Sequence, residues 1–321
     1  MRKKLMIAIP ALLLVVAGVG GGVLWYVNGA AQAAVDRHIA NLIEENAYQE
    51  IEYETLDVHP NGDITMTNLH IVQEPFEYTL NDIRLSNFDF NSEFPRTLDV
   101  AIRGLELADI DPASADPQLA ALATLLDNMN MSGAIPLELD YRHTYDPDNA
   151  HQMEQNVRLY FPDSFTLDAD NVTRGLPPST YALMSEIDQQ DPAQAQAQVM
   201  ALLAEVEVPS LRLSLQDQGF LEGLLASAAA NNGVSPADMR NLLVSQTRNA
   251  YLFLPQNAQD IGMTIGAEVA EFIEGGKTIT VTLAPEYGGK LQQLQQEVMG
   301  AVFTGNFAQV IELLHLDVVT D

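Results

Sequence analysis

No cysteine occurs among the 321 residues. That absence excludes disulfides, thiolate metal sites, cysteine nucleophiles and the acylated cysteine of a lipoprotein. Lysine is almost missing too, since beyond Lys4 only Lys277 and Lys290 remain. The formal net charge is −29, and Arg2, Lys3 and Lys4 precede every acid, so residues 36–321 carry 12 basic against 44 acidic side chains, a net −32. A field of that sign repels nucleic acid and anionic head groups at long range, so no nucleic-acid partner is expected. An acidic, lysine-poor surface suits a salty exterior.

Catalytic signatures are equally scarce. There is no His-Glu-x-x-His and no Gly-x-Ser-x-Gly. Gly275-Gly276-Lys277-Thr278 has the ending of a phosphate loop, but Glu271 stands where the first glycine of that motif is required. The six histidines, His38, His59, His70, His143, His151 and His315, include no pair one helical turn apart. The sharpest cluster is His143, Asp146, Asp148 and His151 around one acidic loop. Oxygen ligands at alternate positions suit calcium, and the cluster could serve a metal-assisted hydrolase. The loop lacks the glycine and the distal bidentate acid of an EF-hand, and Asp-Pro-Asp-Asn is also a good turn. No cofactor is expected.

Charge is also missing between Leu5 and Val35, directly after the basic stub of residues 1–4. Residues 5–27 are apolar enough to cross a bilayer, whose ~30 Å core needs roughly 20 apolar residues of helix. Trp25 and Tyr26 stand where interfacial aromatic anchors would. Three basic residues before the span predict a cytoplasmic N-terminus and a single pass. Ala31-Gln32-Ala33 offers the competing reading, a cleaved signal peptide, although such signals carry an apolar region of only about 7 to 15 residues. Either way the bulk of the chain is exported, which places it in the periplasm at the inner membrane.

Beyond the span, residues 28–48 read as a juxtamembrane helix, with Ile39, Leu42 and Ile43 at helical spacing. Residues 49–175 read as a β-rich meander. Its first hairpin turns at Pro60-Asn61-Gly62, with proline at the first turn position and glycine at the left-handed third. That loop sets His59 opposite Asp63, Val58 opposite Ile64, Leu56 opposite Met66, Tyr53 opposite Leu69 and Ile51 opposite Ile71. The apolar parity changes within each strand, from odd (Ile51, Tyr53) to even (Leu56, Val58) and from even (Ile64, Met66) to odd (Leu69, Ile71). Side chains alternate faces with a period of two, so such a pair is either bulged midway or buried on opposite faces at its two ends.

Tyr78 to Phe90 and Leu98 to Leu107 continue the meander, and residues 117–131 read as a helix. Residues 135–161 make a second hairpin, with Leu137, Leu139, Tyr141, His143 and Tyr145 on one face. Phe165 to Ala169 add a strand. From 176 to 321 the chain is helix-rich: 179–190, 192–206, 220–230, 236–254, 261–273, 291–303 and 308–314 are expected helices. A short strand at 211–215, a strand at 278–283 and an edge strand at 317–320 lie among them. This half is a second domain or part of the first.

The basic stub, the span, the helix and then "YETLDVHPNGDITMTNLHI" resemble membrane-anchored periplasmic proteins of the YdgA type and, more distantly, AsmA-like envelope proteins. The C-terminal "LRLSLQDQGFLEGLL", "SPADMRNLL", "KTITVTLAP" and "FAQVIELLHLDV" resemble proteobacterial envelope proteins. The resemblance implies an α+β envelope protein, a twisted antiparallel sheet with packed helices after one transmembrane helix. It also implies contact with lipid or with other envelope components. None of these motifs is catalytic, so the expected role is non-enzymatic binding or scaffolding; a purely structural anchored domain is the other reading beside the hydrolase.

Overall fold

Four neighbouring strands each break their apolar alternation at one level, and that break organises the first part of the fold. The structure is a computed structural model, and it describes residues 36, 39–40, 49–59, 63–73, 76–87, 96–107, 134–175 and 204–321. The expected span at 5–27, the loop Pro60-Asn61-Gly62, the expected helices at 117–131 and 179–190, and all but the last three residues of that at 192–206 lie outside them. So does most of the juxtamembrane helix, of which Asp36, Ile39 and Ala40 are described as helical. The chain is α+β, with an antiparallel β-sheet and, among the described residues, five α-helices. No helix among those residues is long and apolar enough to cross a membrane.

Two compact units divide the chain, residues 1–143 and 144–321. In the first, β1 (Glu50–Glu52) and β2 (Thr55–Val58) both pair with β3 (Ile64–Gln73), which is followed by β4 (Phe76–Ser86) and β5 (Thr97–Leu107). The start of β6 (Ala134–Asp146) completes the order. The hairpin register is the expected one: Ile51 faces Ile71, Leu56 faces Met66, Val58 faces Ile64, and His59 N donates to Asp63 O at 2.8 Å.

The parity change is a three-residue step that runs straight across the sheet. Tyr53 to Leu56, Met66 to Leu69, Leu80 to Ile83 and Ile102 to Leu105 each skip two polar positions instead of one. The flanking pairs bring Glu54 opposite Asn68, Asn68 opposite Asn81, and Asn81 opposite Gly104. Asn68 (φ 47) and Gly104 (φ 72) take left-handed backbone, which breaks the two-residue alternation within their strands while the cross-strand register stays unshifted. Asn is among the residues that enter that region at least cost. The apolar residues on both sides of the band then belong to one core: Ile51, Leu69, Ile71 and Leu80 from one side, Ile64, Met66, Ile83, Leu85, Leu98, Val100 and Ile102 from the other. Of the two readings open in the sequence the structure shows neither, since the register keeps one offset on both sides of the band, leaving no residue bulged out, and both ends bury into one cluster. Opposite burial at the two ends would have split the cluster. Ile39 of the helical turn before β1 is buried in the same core.

The outward face of this unit carries cross-strand ion pairs. Arg84 meets the buried carboxylate of Asp63 at 2.5 Å, Arg103 meets Asp140 at 2.5 Å, and Arg142 meets Asp99 at 2.8 Å. The two exposed pairs, Arg103–Asp140 and Arg142–Asp99, contribute only about 0–1 kcal/mol each. They do fix strand neighbours, because Arg103 also donates to the Leu139 carbonyl at 3.1 Å.

In the second unit β7 (Gln152–Phe161), β8 (Phe165–Arg174), β9 (Glu207–Asp217), β10 (Thr278–Leu283) and β11 (Asp317–Thr320) pair in that order, all antiparallel. The sequence suggests only a short strand at 211–215, whereas β9 runs for 11 residues. Glu207, Pro209 and Ser210 on one side of the Leu211-Leu213-Leu215 alternation, and Gln216 and Asp217 on the other, hide the rest of the strand. The compositional break after Gly175 is not where the compact units divide, because β8 pairs along most of its length with β9.

The helices are α1 (Phe220–Asn232), α2 (Pro236–Asn249), α3 (Gln259–Glu274), α4 (Leu291–Phe303) and α5 (Phe307–Leu314). Leu225, Ala229 and Met239 close the α1–α2 core. Ser235 caps α2 by accepting from Asp238 N at 3.1 Å, with Pro236 in the first turn, an arrangement worth about 1 kcal/mol. The periodicity predicts α2 to Leu254, but it stops at Asn249 and a 3₁₀ turn (Ala250–Phe253) follows. Pro255 supplies the reason, since the residue before a proline avoids the α region, and Leu254 is extended. Strand β11 lies at the end of the strand order, where α3 covers part of it: Glu268 accepts from Thr320 N at 2.8 Å and from Thr320 Oγ1 at 2.7 Å. That contact occupies edge groups that would otherwise invite another strand.

Candidate functional site

The loop between β6 and β7 is where the sequence puts its sharpest set of candidate ligands. His143 belongs to the first unit and is buried, with Nδ1 3.4 Å from the Tyr141 hydroxyl and the two rings edge to face. Asp146, Asp148 and His151 belong to the second. Asp146 ends β6 and turns its Oδ1 back to accept from Asp148 N at 3.0 Å, the Asx turn that Asp-Pro-Asp-Asn favours. Asp148 is exposed. His151 points into the hairpin: its Nδ1 lies 2.6 Å from Tyr145 Oη and the rings stack at 6.1 Å with 13° between planes. The loop thus separates the four residues by job. Among the described residues, no three His, Asp or Glu side chains are grouped so as to hold a metal ion.

Tyr145 is the partner the sequence reading did not assign. The strand alternation puts it on one face with Leu137, Leu139, Tyr141 and His143, but nothing in the sequence pairs it with a histidine six positions on. The pairing depends on the backbone, because Ala150 and His151 are both left-handed at φ 52. Two adjacent non-glycine residues in that region cost of order 1 kcal/mol or more each, and the surroundings must hold them there. Gly175 N donates to the Ala150 carbonyl at 2.9 Å and Gln152 N to the Asn149 carbonyl at 2.9 Å. The Tyr145 hydroxyl adds a third tie.

Beside this loop the inward face of β7 and β8 is polar. Met153 pairs with Thr173 and Gln155 with Asn171 in register. Asn171 Nδ2 donates to Gln155 Oε1 at 3.2 Å, while Asn171 Oδ1 and Thr173 Oγ1 are buried with no hydrogen-bond partner. Buried polar atoms of this kind are ordinarily satisfied by internal water.

Burial pushes the Tyr145 phenol above its ordinary value of 10.0. The folded state therefore resists ionising it. The neutral phenol's contribution is fully present below about pH 10 and is lost as pH rises from there through the folded value. Thermal unfolding followed from about pH 9 to about pH 11 is expected to fall more steeply for the native chain than for Tyr145→Phe. At neutral pH the phenylalanine variant is expected to be less stable by about 1 kcal/mol, the loss of one hydrogen bond, so the two curves converge as pH rises. Parallel curves would remove Tyr145 from the alkaline transition.

The other described histidines sit in ordinary contacts, and His38 lies outside the described residues. His59 Nε2 lies 3.2 Å from Thr65 Oγ1, His70 Nδ1 lies 3.1 Å from Thr79 Oγ1, and His315 terminates α5 in the left-handed conformation. Lys277 follows the C-terminus of α3 and gives its backbone N–H to the Asp321 carbonyl at 2.7 Å.

No curated protein matches the chain. Residues 158–321, just over half of it and nearly all of the second unit, match a protein family described as "Uncharacterized protein", and the chain belongs to that family.

Proposed function

We propose that this is a single-pass inner-membrane protein whose bulk lies in the periplasm, where it binds or scaffolds other envelope components without catalysing a reaction. The observation that carries this reading is the uncharged apolar run from Leu5 to Val27 behind Arg2, Lys3 and Lys4. The strand and hairpin pattern that resembles the YdgA type, and more distantly AsmA-like proteins, supports the same assignment. The net charge of −32 beyond the span favours partners other than nucleic acid.

Native mass spectrometry of the full chain, extracted gently from envelope membranes, tests the binding role. A discrete co-purifying mass, either lipid or protein, is expected. A chain that repeatedly emerges bare and crosslinks to nothing in the envelope would leave only a structural anchored domain.

A further inference from the structure

We draw no further inference here: the strongest candidate, the apolar sheet face of the second unit on which Leu159, Leu167, Leu215 and Ile279 form one cross-strand row beside the exposed Leu213, carries none because nothing in the structure shows what covers it.

Discussion

Gly104→Val is expected to lower the unfolding free energy of the first unit by about 3 kcal/mol or more. Two costs combine. The residue sits at φ 72, a conformation that a β-branched side chain adopts only under strain, with about 1–2 kcal/mol for the backbone alone. Its Cβ would also meet Asn81, 2.7 Å from Nδ2 and 3.1 Å from both Cβ and Cγ. Asn81 is too short to swing clear, since its own Cβ is part of the clash. Relaxing the strain by returning residue 104 to ordinary extended backbone would move Leu105 to the other face, because a strand alternates with a period of two. Denaturant unfolding followed by circular dichroism measures the loss. Repeating it in an Asn81→Ala background removes part of the clash and leaves the backbone cost. A loss under about 1 kcal/mol would mean the polar band does not depend on this left-handed residue.

Gly289→Ala is expected to be at least as damaging to the second unit, by about 3–5 kcal/mol, in the range where a named structural fault is required. Gly289 is buried at φ 77 in the 3₁₀ turn Glu286–Gly289, where the chain crosses the start of β9. A Cβ there would lie 2.0 Å from the Val208 carbonyl oxygen and 2.3 Å from its carbon. Backbone cannot yield as a side-chain tip can. The turn must lift away, and with it go the bridge between Glu207 and Lys290 and the Leu291 N donation to the Val206 carbonyl at 3.0 Å. Hydrogen exchange at Leu291 reads this directly. Its amide is expected to lose protection in the variant, whereas unchanged protection together with native stability would refute the close approach.

The first hairpin was legible because three signals agreed: a turn whose residue types fix the loop, apolar pairs on most rungs, and a parity change at one level in both strands. The same three-residue step stands in the sequence at Leu80 to Ile83 and Ile102 to Leu105. The sequence shows the steps but not that they align; the cross-strand register does that. The sequence shows only the middle of strand β9, where Leu211, Leu213 and Leu215 alternate with polar residues; Glu207, Pro209 and Ser210 before it and Gln216 and Asp217 after it carry no apolar alternation, and the full length comes from pairing with β8 and β10. Helix α2 was read too long because Tyr251, Leu252 and Leu254 keep an apolar pattern past the point where Pro255 stops the helix.

Of the loop residues singled out as ligands, the Asx turn at Asp146 follows from composition, but the Tyr145 contact with His151 follows from two left-handed residues that no residue type announces.

The absence of cysteine provides the most direct test of the anchored, extracytoplasmic assignment, since any thiol introduced is the only one present. Asp317→Cys at the exposed start of β11 and Lys3→Cys in the basic stub are compared in intact cells of a bacterium with an outer membrane, using a maleimide that passes that membrane but not the inner one. Labelling of the Asp317→Cys chain in intact cells, with the Lys3→Cys chain labelled only after the inner membrane is opened, is the predicted result. Labelling of Asp317→Cys only after lysis would place the folded units in the cytoplasm and contradict the assignment.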